Sequence, residues 1–255
     1  RMCPVKEAIE PRIRPDGRSV FPGYTGELKP AGDGVTYALK NTSVLVVGKH
    51  WGGFQDGVID MSGEGQKYTL FGELNNIVLV ADTNETFEHR EQQKKNDALR
   101  RAGHRLAEYI ASCVKELEPD EMEVFELEPM IKRDAETEKL PSVVYVMQPQ
   151  SQMEEMGYND LAYGWDMNHV VPTVMHPNEI LDGAMVSGSF MPVSSKWSTY
   201  DFQNCPNIKA LYREHGKNIN FLGVIMSNLN VALEQKERSA CSWPRSRRAW
   251  ERTAP

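Results

Sequence analysis

The chain has 255 residues, a formal net charge of −7 and 40% hydrophobic content, which suits one large or two small domains with a real core. Its acidic balance, with no Lys/Arg face interleaved with aromatics, argues against nucleic acid as a partner. No apolar run approaches the length of a membrane span, and Cys3, Cys113, Cys205 and Cys241 form neither a CxxC pair nor a Cys/His ligand spacing, so a metal site and a disulfide framework are not expected and a reducing cytoplasm is.

Residues 1–40 carry Pro4, Pro11, Pro15, Pro22 and Pro30 among several glycines, a composition that forbids long helices and reads as loops with short strands. Thr42 to Gly48 is a short β-branched run, expected to be a buried strand, and His50 to Gly57 is turn-rich. Ile77 to Val80 reads as a second buried strand. Glu88 to Leu117 reads as a long helix with Ala98, Ala102, Leu106, Tyr109, Ile110 and Val114 on its inner face. Met122 to Leu127 alternates like a strand, Val143 to Met147 and Phe221 to Met226 are further strands, and Asn207 to His215 is a helix stopped by Gly216.

Strands alternating with helices place the chain in the α/β class. The expected organisation is a β-rich, loop-heavy N-terminal part over residues 1–75, then an α/β domain over 76–240 with a mainly parallel sheet and flanking helices. Residues 241–255, with four Arg, two Trp and two Pro and no apolar period, read as an anomalous tail that packs on nothing. A neighbouring reading frame can encode an amphipathic helix there, so a frameshift is expected, and the Arg1 start reads as a fragment or a mis-assigned start.

Several polar residues invite chemistry. Asn178 and Glu179 favour a helix start, and Asp182-Gly183 has the composition of a tight turn. Asp60 and Ser62 lie in a glycine-flanked loop. Asp160, Trp165 and Asp166 form a polar-aromatic stretch, read either as a pocket wall or as solvated surface. The six histidines show no metal-ligand spacing on one element.

Longer stretches carry a resemblance. These are Pro4 to Glu7 with Ile9 to Arg12, Phe54 to Gly63 (FQDGVIDMSG), Leu211 to Lys217, Asn220 to Ile225 and Glu234 to Ser239. With Met175 to Tyr200, they make the chain similar, over residues 4 to 240 in order, to the component B alpha-beta subunit family of glycine/sarcosine/betaine reductases. Family members extend beyond both ends of this chain. In that family the precursor is cut at a Ser-Gly-Asn-Cys motif and the Cys becomes a pyruvoyl group. Here the frame reads Ser187-Gly188-Ser189-Phe190, and Ser194 holds a second nearby Cys position.

The resemblance implies an amino-acid reductase of anaerobic metabolism. Its pyruvoyl ketone forms an imine with the substrate amine, and a selenocysteine or cysteine on a gamma-type partner subunit attacks the adjacent carbon. Self-cleavage needs a Ser or Cys side chain. Phe190 has none, so no pyruvoyl group and no other cofactor is expected. Ser189, one place early, and Asn204-Cys205 are the two possible displaced cleavage sites. Lys196, Thr199 and Tyr200 keep the family pattern, and Lys196, Glu179, Asp182 and Asp60 are the candidate substrate-binding residues. The expected setting is a hetero-oligomer that binds a small amine or amino acid. The alternatives are a non-catalytic scaffold or regulatory paralogue, or a non-functional gene fragment.

Overall fold

The computed structural model describes residues 5–48, 61, 63–82, 92–129, 132–151, 159–188 and 196–252. In chain order the first elements are β1 (Val5–Ile9), β2 (Arg12–Ile13), β3 (Tyr37–Ala38), β4 (Thr42–Val47), β5 (Asn75–Val80) and the helix α1 (Gln92–Ser112). Then come α2 (Ala135–Glu138), β6 (Ser142–Met147), β7 (Leu161–Ala162), β8 (Trp165–Asp166), β9 (Thr173–Met175), α3 (Pro177–Leu181) and β10 (Met185–Val186). The last are α4 (Thr199–Gln203), α5 (Pro206–Glu214), β11 (Asn220–Met226) and α6 (Leu233–Arg252).

The α/β class is as expected. Among the described residues there are three three-stranded sheets: β10-β7-β8 is antiparallel throughout, and the pairing is mixed in the other two. One has the order β1-β4-β5, antiparallel then parallel, and the other has the order β6-β11-β9, parallel then antiparallel. β4 and β11 are the central strands, and their apolar, β-branched runs are buried on both faces. β5 is an edge, and its expected burial is corrected: Val78 and Val80 are exposed. Met122 to Leu127 is also corrected. It alternates as a strand would, with Met122 and Val124 outward and Phe125 and Leu127 against the core, but it joins no ladder among the described residues.

Apolar burial among the described residues falls in three places, one of which joins Val5, Ala8, Leu45, Val47, Phe71 and Tyr200. Around β6, β11 and β9, the core gathers Met147, Met175, Ile180, Met185, Phe202, Ile208, Phe221, Val224 and Met226. Between α1 and the first sheet lie Ile9, Phe21, Val44, Val46, Leu99 and Ala107. These last two are stitched together by polar contacts. The Glu10 amide donates to Gln203 Oε1 at 2.9 Å, and Arg12 Nη2 donates to the Gln203 carbonyl at 2.9 Å.

Helix α1 presents a different face from the one its apolar residues suggest. Ala98, Ala102 and Tyr109 are exposed, whereas Asn96, Leu99, Arg100, Gly103, His104, Ala107 and Ala111 are buried. Gly103 makes this possible: a Cβ there would lie 2.1 Å from Val46 Cγ2, so only glycine lets the helix press onto β4. The C-terminal stretch differs too. α6 continues through Pro244 to Arg252, and the Trp243 indole donates to Ser227 Oγ at 2.9 Å, so the expectation that nothing here packs fails at Trp243.

Candidate functional site

The buried face of α1 packs on β1, β2 and β4, and α4 packs on β1 and β10. Polar side chains link these elements to the segments that flank β7 and β10. At the centre of these links is Glu7, fully buried on β1. A register shift between Val5 and Glu7 in the pairing with β4 interrupts the regular alternation of this strand. The carboxylate of Glu7 accepts the Thr199 amide at 3.0 Å and the Thr199 hydroxyl at 2.8 Å. It also lies 3.4 Å from His104 Nε2. The His104 ring is held edge-on by Phe21 and Tyr24, with centroids at 4.4 and 5.0 Å.

Thr199 carries the network onward. Its hydroxyl oxygen accepts the Ser187 amide at 3.0 Å, so the chain before and after residues 189–195 is tied to the same side chain. The next amide, Gly188, donates to Asp160 Oδ1 at 3.1 Å, and the Gln150 amide donates to Asp160 Oδ2 at 2.7 Å. A Cβ on Gly188 would lie 1.5 Å from the Asn159 carbonyl oxygen, which explains a glycine here. Burial drives the Asp160 carboxyl up to about 7, against the pull of its two amide donors and of the Arg100 charge, while Glu7 adds to the rise.

Asn96, Arg100 and His104 recur every fourth residue on α1 and so share one face. All three are buried. Among the described residues, the amide Nδ2 of Asn96, the Nε and Nη1 of Arg100 and the Nδ1 of His104 have no hydrogen-bond partner, and neither does the Ser187 hydroxyl. Unpaired buried polar atoms are costly, and this many on adjoining elements mark a place built to receive something polar. Among the described residues no group of His, Cys, Asp and Glu could hold a metal ion.

The residues singled out from the sequence fall elsewhere or at the margin. Asp60, Ser189, Phe190 and Ser194 lie outside the described residues. Lys196 is half-buried at the point where the described chain resumes. Glu179 closes a capping box on α3: it accepts the His176 amide at 2.6 Å and the Tyr163 hydroxyl at 2.6 Å. The N-cap is His176, and Asn178 instead accepts from the Tyr212 hydroxyl and donates to the Phe125 carbonyl. Asp182 accepts from Arg14, from the Gly32 amide at 2.8 Å and from the Thr36 hydroxyl at 2.5 Å.

Cys205 is a buried thiol that starts α5, and burial pushes its ionisation up, away from reactivity. Asp160 is buried and so is not solvated surface, while Trp165 is exposed. Glu7, Asn96, Arg100 and His104 were not singled out by sequence reasoning. The signal present was the four-residue polar period, which the helix reading assigned to the solvent side.

The chain belongs to the glycine/sarcosine/betaine reductase component B subunit family, whose model matches residues 1–245. It is 72% identical over 241 residues, 94% of this chain and 54% of the relative, to the betaine reductase complex component B subunit alpha of Peptoclostridium acidaminophilum. To the sarcosine reductase complex component B subunit alpha of the same organism it is 42% identical over 239 residues, 93% of this chain and 54% of the relative. To the glycine reductase complex component B subunits alpha and beta of Acetoanaerobium sticklandii it is 38% identical over 241 residues, 94% of this chain and 55% of the relative. The chain thus spans about half the length of the curated relatives it matches. No solved structure is significantly similar to it.

Proposed function

We propose that this chain is part of the alpha-type subunit of component B in a reductase complex, that its substrate is betaine, and that it works without a pyruvoyl group. The observation that carries the reading is the identity gap: 72% to the betaine relative against 42% and 38% to the sarcosine and glycine relatives. Phe190 agrees with it. A pyruvoyl ketone is useful where an imine can form, and the quaternary nitrogen of betaine has no proton to lose. Phe190 offers no nucleophile to generate such a ketone, so the residue present does not fit the group and the substrate does not need it.

The chemistry left for the complex is displacement at carbon. A selenolate or thiolate of a gamma-type partner subunit forms a bond to the methylene carbon, the C–N bond breaks, and trimethylamine leaves with the electron pair. A carboxymethyl group remains on selenium or sulfur. This chain binds and aligns betaine for that attack.

Two measurements test the reading. Intact-mass spectrometry of the full-length protein is expected to give one polypeptide with no hydroxylamine-reactive carbonyl. Calorimetry on the assembled component B is expected to show betaine binding at least about tenfold tighter than sarcosine or glycine, a gap of about 1.4 kcal/mol. Two fragments parting at Ser189 or beside Cys205 would overturn the pyruvoyl-free reading. Tighter binding of glycine or sarcosine would overturn the substrate, and binding of none of the three would favour a scaffold.

A further inference from the structure

We propose that the Arg100 guanidinium, with the Asn96 amide one helical turn before it, is the receptor for a carboxylate, and that in the working complex this is the carboxylate of the substrate. The ligand's name rests on the betaine reading above; the site does not.

A guanidinium keeps its charge under all ordinary conditions, so it is buried only where something compensates it. The Arg100 side chain is 1% exposed. Its Nε and Nη1 have no hydrogen-bond partner among the described residues. Its ion pair among the described residues, Nη2 to Asp97, is long at 3.9 Å. Asp97 is also committed elsewhere: Oδ2 accepts Arg101 Nε at 2.8 Å and Oδ1 accepts the Tyr24 hydroxyl at 3.1 Å.

The other nearby carboxylates are engaged as well. Both oxygens of Asp160 are taken by the Gln150 and Gly188 amides, and both oxygens of Glu7 by Thr199. Among the described residues, the charge therefore has neighbours but no dedicated counterion.

The unfilled valences of Arg100 and Asn96 share one sign. Arg100 Nε, Arg100 Nη1 and Asn96 Nδ2 are all donors, and all three are unpartnered among the described residues. A guanidinium can grip a carboxylate through its Nε/Nη2 edge or its Nη1/Nη2 edge, and each edge keeps an open donor. Such a site takes an acceptor with negative charge and rejects a cation. For a substrate with a fixed positive charge at one end, a buried guanidinium at the other end fixes its direction.

The test uses component B assembled from the full-length chain and its partner, as wild type, Arg100→Met and Asn96→Asp. Calorimetry follows betaine, acetate and choline, which lacks the carboxylate, and ligand-free melting is recorded for each form. Wild type is expected to bind betaine, with acetate competing and choline not. Arg100→Met should weaken betaine by about 100-fold, the loss of two charge-assisted hydrogen bonds, and melt no lower than wild type, since an unpaired buried charge has gone. Asn96→Asp should also give up betaine and melt higher, because an aspartate there supplies the missing counterion.

Betaine affinity within about 3-fold of wild type in both variants would overturn the site and leave the betaine reading standing. A ligand-free melting loss in Arg100→Met with no gain in Asn96→Asp would make Arg100 structural and also overturn it. Acetate binding that is lost in Arg100→Met, with no betaine binding in wild type, would keep the site and remove the betaine reading. If neither ligand binds wild type, both fall. Should Arg100→Met not fold, Asn96→Asp decides.

Discussion

Two of the buried regions of this molecule are opposites. Around β11 the interior is apolar and methionine-rich, with Phe221 fully buried and Tyr212 edge-on to it at a centroid distance of 5.8 Å. Between α1, β1 and α4 the interior holds Glu7, Asn96, Arg100, His104 and Thr199, all buried and several with atoms unpaired. Apolar burial stabilises by about 1.5–3 kcal/mol per large side chain. Buried charge with open valences does the reverse. The first region contributes stability, and the second draws on it. The largest expected effect therefore lies in the first. Phe221→Ala should cost about 3–5 kcal/mol in chemical denaturation, the range for deleting a buried ring. A loss below about 1 kcal/mol would show that this core is not where stability resides.

The polar region should announce itself through pH. Burial raises the Asp160 carboxyl from 3.8 to about 7. Between those values the folded protein holds a proton that the unfolded chain has released. Stability from this group is therefore fully present below the unfolded value and is lost as pH rises through the folded one. Asp160→Asn removes the titration. The stability of wild type relative to this variant should fall between pH 4 and pH 8, by up to about 4 kcal/mol. A difference independent of pH would mean that Asp160 is ionised throughout and that the region is wetter than its burial suggests.

What was legible in the sequence follows the same division. β4, β6 and β11 were readable because a run of β-branched residues has one physical use, and their runs lie within or beside cores. β5 has the same kind of run, but nothing in its residues says that it ends a sheet. Helix α1 was legible as a helix and misread as a face. The rule that apolar residues turn inward fails where Gly103 lets the backbone approach and where Asn96, Arg100 and His104 turn inward for another purpose. Glu179 and Asp182 drew attention as carboxylates in a turn, and the structure engages them in the turn itself. The Glu7–Thr199 contact joins residues 192 positions apart, and no local pattern encodes that.

The smallest expected effect concerns residues 241–255, where the sequence predicts no packing. Pro244 lacks an amide donor and crowds the carbonyl four residues before it, so α6 gains little from its own backbone at that point. What ties this turn of α6 to the body is the Trp243 indole, part-buried, donating to the hydroxyl of buried Ser227 at 2.9 Å. Trp243→Phe keeps an aromatic ring and removes the donor. It should lower stability by about 1 kcal/mol, the net worth of one hydrogen bond. Removing Ser242 to Pro255 should cost at least as much, beyond the ±0.5 kcal/mol or so expected of an unpacked surface segment. If both variants unfold at the denaturant midpoint of the wild type, the indole contact holds nothing. Residues 241–255 then return to the reading their composition first suggested, a tail that the cores do not need.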